Sequence, residues 1–313
     1  MSQRKLTNYF ILILKGMGMG AADVVPGVSG GTIALITEIY EELVNSIKSI
    51  NLKTFKDLFK NGIRSFWHDL NGNFLIAVFA GIFLSVFTLA NVLGNLLQNH
   101  PILVWSFFFG LIIASAVFVG RKVQKWNTIN ILAILIGALV AYFITELTPA
   151  QTTNQYWFIF LSGAIAVCAM ILPGISGSFI LLLLGKYQFV LQAVNELNFN
   201  VLLTLIAGAF IGLISFSNML SWLLKKYHNT TIAVLAGFMV GSLNKVWPWK
   251  ETVSFFTDSH GIQQPLIQNN VTPGVYAQVT GNSSFLVQAV IAALIGILLI
   301  IFVEKISYVK KRD

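Results

Sequence analysis

Residues 22–36 read ADVVPGVSGGTIALI and combine two features that conflict. The stretch lies in a strongly apolar part of the chain, yet its centre holds proline, glycine and serine, which interrupt helices. A second copy follows 147 residues later, where an ungapped alignment pairs VVPGVSGGTIALITEIY (24–40) with ILPGISGSFILLLLGKY (171–187). The matched pairs include Pro26 with Pro173, Gly27 with Gly174, Ser29 with Ser176, Gly30 with Gly177 and Tyr40 with Tyr187. The break is therefore a repeated feature of the chain.

The repeat extends beyond the break. An offset of 127 residues pairs AGIFLSVFTLANVLGNLL (80–97) with AGAFIGLISFSNMLSWLL (207–224). Each copy holds one interrupted apolar region, near 8–48 and 156–195, followed by three plain apolar segments of membrane-spanning length. The plain segments lie near 74–98, 101–120, 128–147, 199–224, 229–247 and 284–303. The sequence predicts an all-α polytopic membrane protein with a first repeat in 1–150 and a second in 151–313.

The composition agrees with a membrane protein and argues against other classes. Of the 313 residues, 56% are hydrophobic and 10% are charged, whereas soluble domains carry about 25% charged residues. The net charge of +8 fits basic loops on the cytoplasmic face, so we expect no nucleic acid partner. Cys168 is the single cysteine, and the histidines and acids are scattered. We therefore expect neither a metal nor a cofactor.

An amphipathic segment, residues 51–70, precedes the first plain span. Its apolar residues recur at helical spacing, and its basic residues occupy other faces. The apolar set is Leu52, Phe55, Phe59, Ile63, Phe66 and Leu70, and the basic set is Lys53, Lys56, Lys60 and Arg64. This pattern predicts a helix that lies in the membrane surface rather than across it.

The basic residues also indicate how the two copies are oriented. If each interrupted region enters and leaves on the same face, each copy makes three net crossings and the second copy is upside down. With the N-terminus inside, all but three of the 20 lysines and arginines then fall on the cytoplasmic side, as expected for a bacterial membrane protein. The exceptions are Lys186, Lys245 and Lys250. We therefore predict an inverted repeat with two re-entrant helical hairpins and with both termini in the cytoplasm.

The repeated break has the chemistry of an anion site. Irregular backbone at membrane depth is tolerated where it lines a polar cavity, and inverted-repeat transporters bind substrate at such broken helices. Pro26 and Pro173 suit the first turn of a helix, which would put the following amides at helix N-termini, where anions bind. Hydroxyls beside them would add donors. The predicted anion-binding residues are Gly27, Val28, Ser29, Gly30, Gly31, Thr32, Gly174, Ile175, Ser176, Gly177 and Ser178.

The two motifs, GMGMGAADVVPGVSGGTIALITEIYEEL and ILPGISGSFILLLLGKY, resemble those of a bacterial polytopic family, the polyprenyl-phosphate translocases of the PopT type. The resemblance covers essentially the whole chain. It implies a flippase that returns undecaprenyl phosphate, the lipid carrier of envelope polymers, from the outer to the inner leaflet of the cytoplasmic membrane. This sequence departs from the family at Glu38, where a glycine usually precedes the IYE triplet.

Four charged residues are candidates for coupling or gating, and three of them have a simpler alternative. Asp23 lies just before the first break, where it would either accept a proton or cap the hairpin. Glu41 follows Tyr40 in the family motif and is a candidate gate. Lys186 would draw phosphate in from the outer leaflet or anchor the interface. Arg121 would bind lipid phosphate on the inner side or only mark the topology.

Other functions remain open at this point. A secondary carrier or channel for a small anion such as phosphate would use the same features. The GVSGG stretch (27–31) also fits the G-x-S-x-G pattern of a serine nucleophile, but a hydrolase needs a base beside Ser29. All four histidines fall in loops or at span ends, so we expect no enzymatic activity. The sequence leaves open a purely structural role and a homodimer.

Overall fold

The computed structural model describes residues 6–25, 27–257 and 263–309. The first half contains the helices α1 (Leu6–Val24), α2 (Gly30–Ile36), α3 (Tyr40–Lys48), α4 (Leu52–Asp69), α5 (Gly72–Asn99), α6 (Pro101–Arg121) and α7 (Thr128–Glu146). The second half contains α8 (Tyr156–Ile171), α9 (Gly177–Leu183), α10 (Tyr187–Asn195), α11 (Phe199–Lys226), α12 (His228–Ser242), β1 (Lys250–Thr257), β2 (Gln263–Asn270), α13 (Pro273–Thr280) and α14 (Leu286–Val309).

Within the described part of the chain, five helices are long and apolar enough to cross a membrane, and the protein is a multi-pass membrane protein. They are α5, α6, α7, α11 and α14. The predicted span 229–247 is too long, because α12 has 15 residues and ends at Ser242. The chain turns there, with the N–H of Lys245 donating to the carbonyl of Ser242, and Pro248 shortly afterwards cannot continue a helix.

The offsets found in the sequence reappear in the bounds of the helices. The offset of 147 residues maps α2 onto α9 and α3 onto α10 at both ends, and it maps the last residue of α1 onto the last residue of α8. The offset of 127 residues maps α5 onto α11 at both ends and the start of α6 onto the start of α12. Matched segments therefore fold into matched elements.

Glycines let the first broken helix approach α5 closely. A Cβ on Gly16 of α1 would collide with the carbonyl of Val78, and a Cβ on Gly20 would lie 2.7 Å from the carbonyl of Ile82. Small residues are what permit such backbone contact between membrane helices. Since the residue numbers rise together along the contact, α1 and α5 run in the same direction.

The second half repeats this contact. Gly208 and Gly212 of α11 lie against the backbone of Phe160 and Ala164 in α8, so α8 and α11 also run in the same direction. The start of α12, however, lies by the end of α6, because the N–H of Gln124 donates to Asn229 Oδ1 over 3.1 Å. Since α5 ends where α6 begins and α11 ends where α12 begins, α5 and α11 end at opposite ends of α6.

Two parts of the chain differ from, or refine, the predicted all-α fold. The polar loop near 250–283 contains an antiparallel ribbon of β1 and β2 and the short helix α13, so the fold is not purely helical. The predicted amphipathic helix corresponds to α4, which is interrupted at Gly62 (φ 79°, ψ 173°). Its Phe59 and Ile63 side chains are exposed, as expected of a helix whose apolar face lies in a bilayer surface.

Glu38 adopts a backbone conformation that normally requires glycine. Its φ is 61°, and the matched residue of the second half is Gly185, with φ 63°. The interrupted regions form two helical hairpins, α1–α2 and α8–α9. Glu38 and Gly185 follow the second helix of their hairpin, where the chain turns into α3 and α10. The left-handed conformation costs a residue with a Cβ about 1–2 kcal/mol. A glycine avoids this cost, which explains why glycine is usual at this position in the family that the sequence resembles.

Replacing Glu38 by glycine should stabilise the protein by about 1 kcal/mol. The change removes the left-handed strain and loses a half-exposed contact to Lys122 (3.1 Å), which contributes about 0–1 kcal/mol. Thermal unfolding in detergent measures the effect. Glu38→Ala is the matched control, since it loses the same contact but keeps the strain. Equal stability of the two variants would contradict this explanation.

Candidate functional site

The two breaks have nearly the same local geometry. Ser29 is the N-cap of α2 and Ser176 is the N-cap of α9, and each side chain accepts a hydrogen bond from an amide of the first turn. The glycines that precede them are both left-handed, with φ 88° at Gly27 and 93° at Gly174. The following amides therefore lie at helix N-termini, as the sequence predicted.

The role predicted for the prolines needs correction. Pro173 lies in the turn after α8, four residues before α9 begins at Gly177, so it does not occupy the first turn of a helix. It ends the preceding helix, because proline cannot extend one, and Ser176 supplies the N-terminal cap instead. Pro26 lies outside the described residues, so its predicted role as a helix break stays a prediction.

The tips of the two hairpins meet and exchange hydrogen bonds. The N–H of Gly27 donates to Ser176 Oγ over 3.2 Å, and the N–H of Gly174 donates to Thr32 Oγ1 over 3.1 Å. These are reciprocal contacts, since each hairpin supplies one amide and one hydroxyl. The tertiary structure thus joins the two copies of the motif at their breaks.

The first hairpin also supplies hydrogen-bond donors to the last carbonyls of α8. Ser29 Oγ donates to the carbonyl of Met170 over 3.0 Å, and the hydroxyl of Tyr40 donates to the carbonyl of Ile171 over 3.1 Å. The last carbonyls of a helix lack partners within it. The approach is close, because a Cβ on Gly31 would lie 2.5 Å from the carbonyl oxygen of Ile171.

The residues of this junction are largely inaccessible. The fully or almost fully buried members of the predicted anion site are Gly27, Val28, Ser29, Gly30, Gly31, Thr32, Gly174, Ile175 and Ser176, while Gly177 and Ser178 are half-buried. The hydroxyls of Ser29, Thr32 and Ser176 all have protein partners. The structure therefore shows the tips closed on each other, and an anion there would have to replace some of these bonds.

Asp23 acts as a strut of the first hairpin. Its Oδ1 accepts a hydrogen bond from the N–H of Gly30 over 2.7 Å, which holds the end of α1 to the start of α2. A Cβ on Gly30 would lie 2.6 Å from the other carboxylate oxygen, so this contact needs glycine. The second hairpin has Met170 at the matched position and has no such carboxylate.

Ionic contacts hold the base of the first hairpin, where the sequence placed a candidate gate. Glu41 Oε1 lies 3.0 Å from Nε2 of His228, the first residue of α12. Glu38 lies 3.1 Å from the ammonium of Lys122, just after α6. Lys15 of α1 donates to the carbonyl of Thr37 over 2.6 Å. All three contacts would have to loosen for this hairpin to move as a unit.

Lys186 is not directed to an open surface. It is 1% exposed, and its ammonium donates to the carbonyl of Thr152 over 3.0 Å and to Asn154 Oδ1 over 2.6 Å. The rings of Phe158 and Phe189 flank it at 5.5 and 5.8 Å. In this structure Lys186 joins the second hairpin to the chain that precedes α8.

Arg121 lies at the end of an apolar groove of about 370 Å³. The groove runs between α6, α7 and α12, and its other residues are apolar apart from the indole of Trp126. They include Ile113 and Val117 of α6 and Leu243, just after α12. We name this feature the lateral groove. It places one cation beside a long apolar surface.

A polar chamber beyond the end of α12 was not predicted from the sequence. It has a volume of about 310 Å³ and is lined by α7, the turn after α12, and both strands of the ribbon. Lys245 and Lys250 belong to it. The signal in the sequence was that these two lysines do not follow the distribution of the other basic residues, but nothing indicated that they lie together.

Comparison with known proteins gives a consistent result. A family described as undecaprenyl phosphate translocase-like matches residues 19–264. A polyprenyl-phosphate transporter of Vibrio cholerae is 47% identical over 301 residues, which cover 96% of this chain and 98% of that protein. A polyprenyl-phosphate transporter of Staphylococcus aureus is 36% identical over 257 residues, covering 76% and 86%. No solved structure matches the chain.

Removing the Ser176 hydroxyl should destabilise the junction by about 1–3 kcal/mol. Ser176→Ala leaves the buried amides of Gly27 and Phe179 without their acceptor, and that is the usual penalty for such a loss. Chemical or thermal unfolding in detergent measures it. Ser178→Ala is the matched control, because Ser176 Oγ (3.3 Å) is the one hydrogen-bond partner of that hydroxyl among the described residues. Equal losses in both variants would contradict the role of the cross-hairpin bond.

Proposed function

The chain belongs to the undecaprenyl phosphate translocase-like family, and from this premise we propose that it transports polyprenyl phosphate across the bacterial cytoplasmic membrane. The net movement we propose is from the outer to the inner leaflet, which returns the carrier lipid for envelope polymer synthesis. The two curated relatives named above are both polyprenyl-phosphate transporters. They cover most of this chain, so the inference extends to its whole membrane domain.

The single observation that carries the mechanism is the junction of the two broken-helix tips. Gly27, Gly174, Ser29, Thr32 and Ser176 bring amides and hydroxyls together inside an apolar protein. A phosphate group can accept hydrogen bonds from such donors, and helix N-termini favour negative charge. We therefore propose that the lipid phosphate separates the two tips and accepts the hydrogen bonds that the amides of each tip now donate to the other.

The exchange is energetically reasonable. A neutral hydrogen bond within a protein contributes about 0.5–1.5 kcal/mol, and one to a charged group about 1.5–3 kcal/mol. A phosphate that replaces the two amide-to-hydroxyl bonds of Gly27 and Gly174 would thus gain more than the closed tips lose. The closed arrangement would serve as the resting state, because it gives the amides of Gly27 and Gly174 partners in the membrane when the substrate is absent.

Alternating access requires the inverted arrangement, which we propose for the two halves. The support is that α1 parallels α5, α8 parallels α11, and α5 and α11 end at opposite ends of α6. The hairpins then enter from opposite faces and meet at their tips. In this scheme the contacts of Glu38 and Glu41 close the cytoplasmic base of the first hairpin, and those of Lys186 close the outer base of the second.

The lateral groove favours a lipid over a soluble anion. A polyprenyl phosphate needs an apolar path for its tail beside the path of its head, and the groove joins apolar side chains to Arg121 at one end. We propose that Arg121 receives the phosphate at the inner leaflet. A carrier for a small anion such as inorganic phosphate is the alternative, and it would have no use for this groove.

Proton coupling through Asp23 is a further part of the proposal. In its charged form Asp23 holds the N–H of Gly30, and the carboxylate would repel an approaching phosphate. Protonation would remove that repulsion and weaken the strut, which would free the first hairpin to open. Since Met170 replaces the acid in the second hairpin, coupling would act on one hairpin alone.

Transport by the purified protein in liposomes tests the function. We expect labelled undecaprenyl phosphate to move between leaflets, and an excess of soluble phosphate to compete weakly. The double change of Ser29→Ala and Ser176→Ala should reduce the rate about tenfold or more, since both tips lose a hydroxyl. Ser115→Ala is the matched control, because its buried hydroxyl bonds within α6 to Leu111.

Three outcomes of this experiment would count against the proposal. Equal transport of free phosphate would favour the small-anion carrier. An unchanged rate in the double variant would remove the tips from the mechanism. Equal losses in the double variant and in Ser115→Ala would mean that the effect is only structural.

The inverted arrangement has a test of its own. In a Cys168→Ser background, single cysteines at Lys53, Lys225 and Asn200, which are all exposed, are labelled with a membrane-impermeant maleimide from either side. Inversion predicts that Lys53 and Lys225 share the cytoplasmic side, whereas Asn200 lies outside. Labelling of Lys53 and Asn200 from the same side would contradict both the inversion and the transport scheme built on it.

A further inference from the structure

The polar chamber defined above lies next to the hairpin tips but outside the junction itself. It is formed where α7 and α12 end, and the ribbon closes it on one side. Its lining is polar, with Thr145, Glu146, Asn244 and Asn269 beside the two lysines. A polar cavity of about 310 Å³ at the end of two membrane helices is an accessible site for a small charged group.

Lys245 connects this chamber to both hairpins. Its stem packs on the first tip, since a Cβ on Gly27 would lie 2.6 Å from Lys245 Cγ. Its ammonium lies 4.3 Å from the ring centre of Phe179, a residue of α9 in the second hairpin. One side chain therefore contacts the two elements that must separate when the tips open.

The charge of Lys245 is not neutralised by an ion pair. None of the ion pairs among the described residues involves it. The nearby acid, Glu146, accepts a hydrogen bond from Asn244 over 2.6 Å instead. Burial lowers the pKa of Lys245 to about 8, although Glu146 opposes that shift. Lys245 is half-buried, and a partly desolvated cation without a close counter-ion is stabilised when an anion joins it.

Lys250 adds a second basic group to the same chamber. Its ammonium donates to the carbonyl of Lys245 over 2.6 Å and lies 4.0 Å from the ring centre of Trp105. Burial and the neighbouring Lys245 both lower the pKa of Lys250. An anion bound between these two half-buried lysines would stabilise the charged forms of both side chains.

We propose that the polar chamber is a second anion site, which takes a phosphate monoester group from the outer aqueous side and delivers it along Lys245 to the hairpin tips. Its location outside the cytoplasm rests on the transport scheme proposed above, whereas its chemistry rests on the contacts of the chamber alone. A lipid head and free phosphate share that chemistry. Lys245 acts here as a binding residue and as the link between an occupied chamber and the opening of the tips.

Binding by the purified full-length chain tests the site. The probes are undecaprenyl phosphate in lipid nanodiscs and, separately, inorganic phosphate. Lys245→Met keeps most of the stem that packs on Gly27 and removes the charge. We expect it to weaken, by about tenfold or more, the binding of each probe that the wild type binds. Lys245→Arg should restore most of the affinity. Lys226→Met is the control, because that lysine lies before the opposite end of α12 and contacts exposed Trp222.

The outcomes separate this site from the proposed function. If Lys245→Met and wild type bind both probes equally, the chamber site is wrong even where lipid transport is confirmed. If inorganic phosphate binds through Lys245 but the lipid does not, the site is upheld and the lipid function is overturned. Should Lys245→Met fail to fold, Lys245→Gln and Lys250→Met replace it, and unchanged binding in both would equally overturn the proposal.

Discussion

An amide or a carbonyl inside a bilayer must find its partner within the protein, because lipid offers none, and the arrangement of this protein follows from that constraint. A helix that breaks at membrane depth exposes such groups at the end of one segment and at the start of the next. Here the two breaks satisfy each other: Gly27 bonds to Ser176, Gly174 bonds to Thr32, and Ser29 covers the end of α8. Neither break is complete without the other, which gives a physical reason for the chain to keep both copies.

The same contacts would let a stable junction also serve as the proposed binding site. Each bond between the tips is a neutral pair of modest strength, and a phosphate offers the same amides a charged acceptor. The surroundings fit a substrate with two chemically different parts. Amides, hydroxyls and the chamber lysines suit a charged head, whereas the lateral groove suits an apolar tail. The proposed site therefore suits an anionic lipid of the kind that the two relatives are named for.

The two halves share a backbone plan but differ in chemistry at the positions that control movement. Asp23 is matched by Met170, and Glu38 by Gly185. The first hairpin is held at its base by the Glu38–Lys122 ion pair and the Glu41–His228 contact, whereas the second is held by the buried Lys186. In the proposed mechanism each hairpin would therefore respond to different conditions, and the two need not open at the same time or for the same reason.

The sequence by itself determined the membrane class, the duplication, the positions of the long spans and the placement of Ser29 and Ser176 at helix starts, because hydrophobicity and capping are local properties. It placed Pro173 and the end of α12 wrongly, since a serine cap and a turn outweighed the pattern that it offered. Only the tertiary structure decided which donors face each other, that Lys186 is internal, and that Lys245 reaches both tips. Those contacts join residues far apart in the chain, such as Gly27 and Ser176, and no local pattern encodes them.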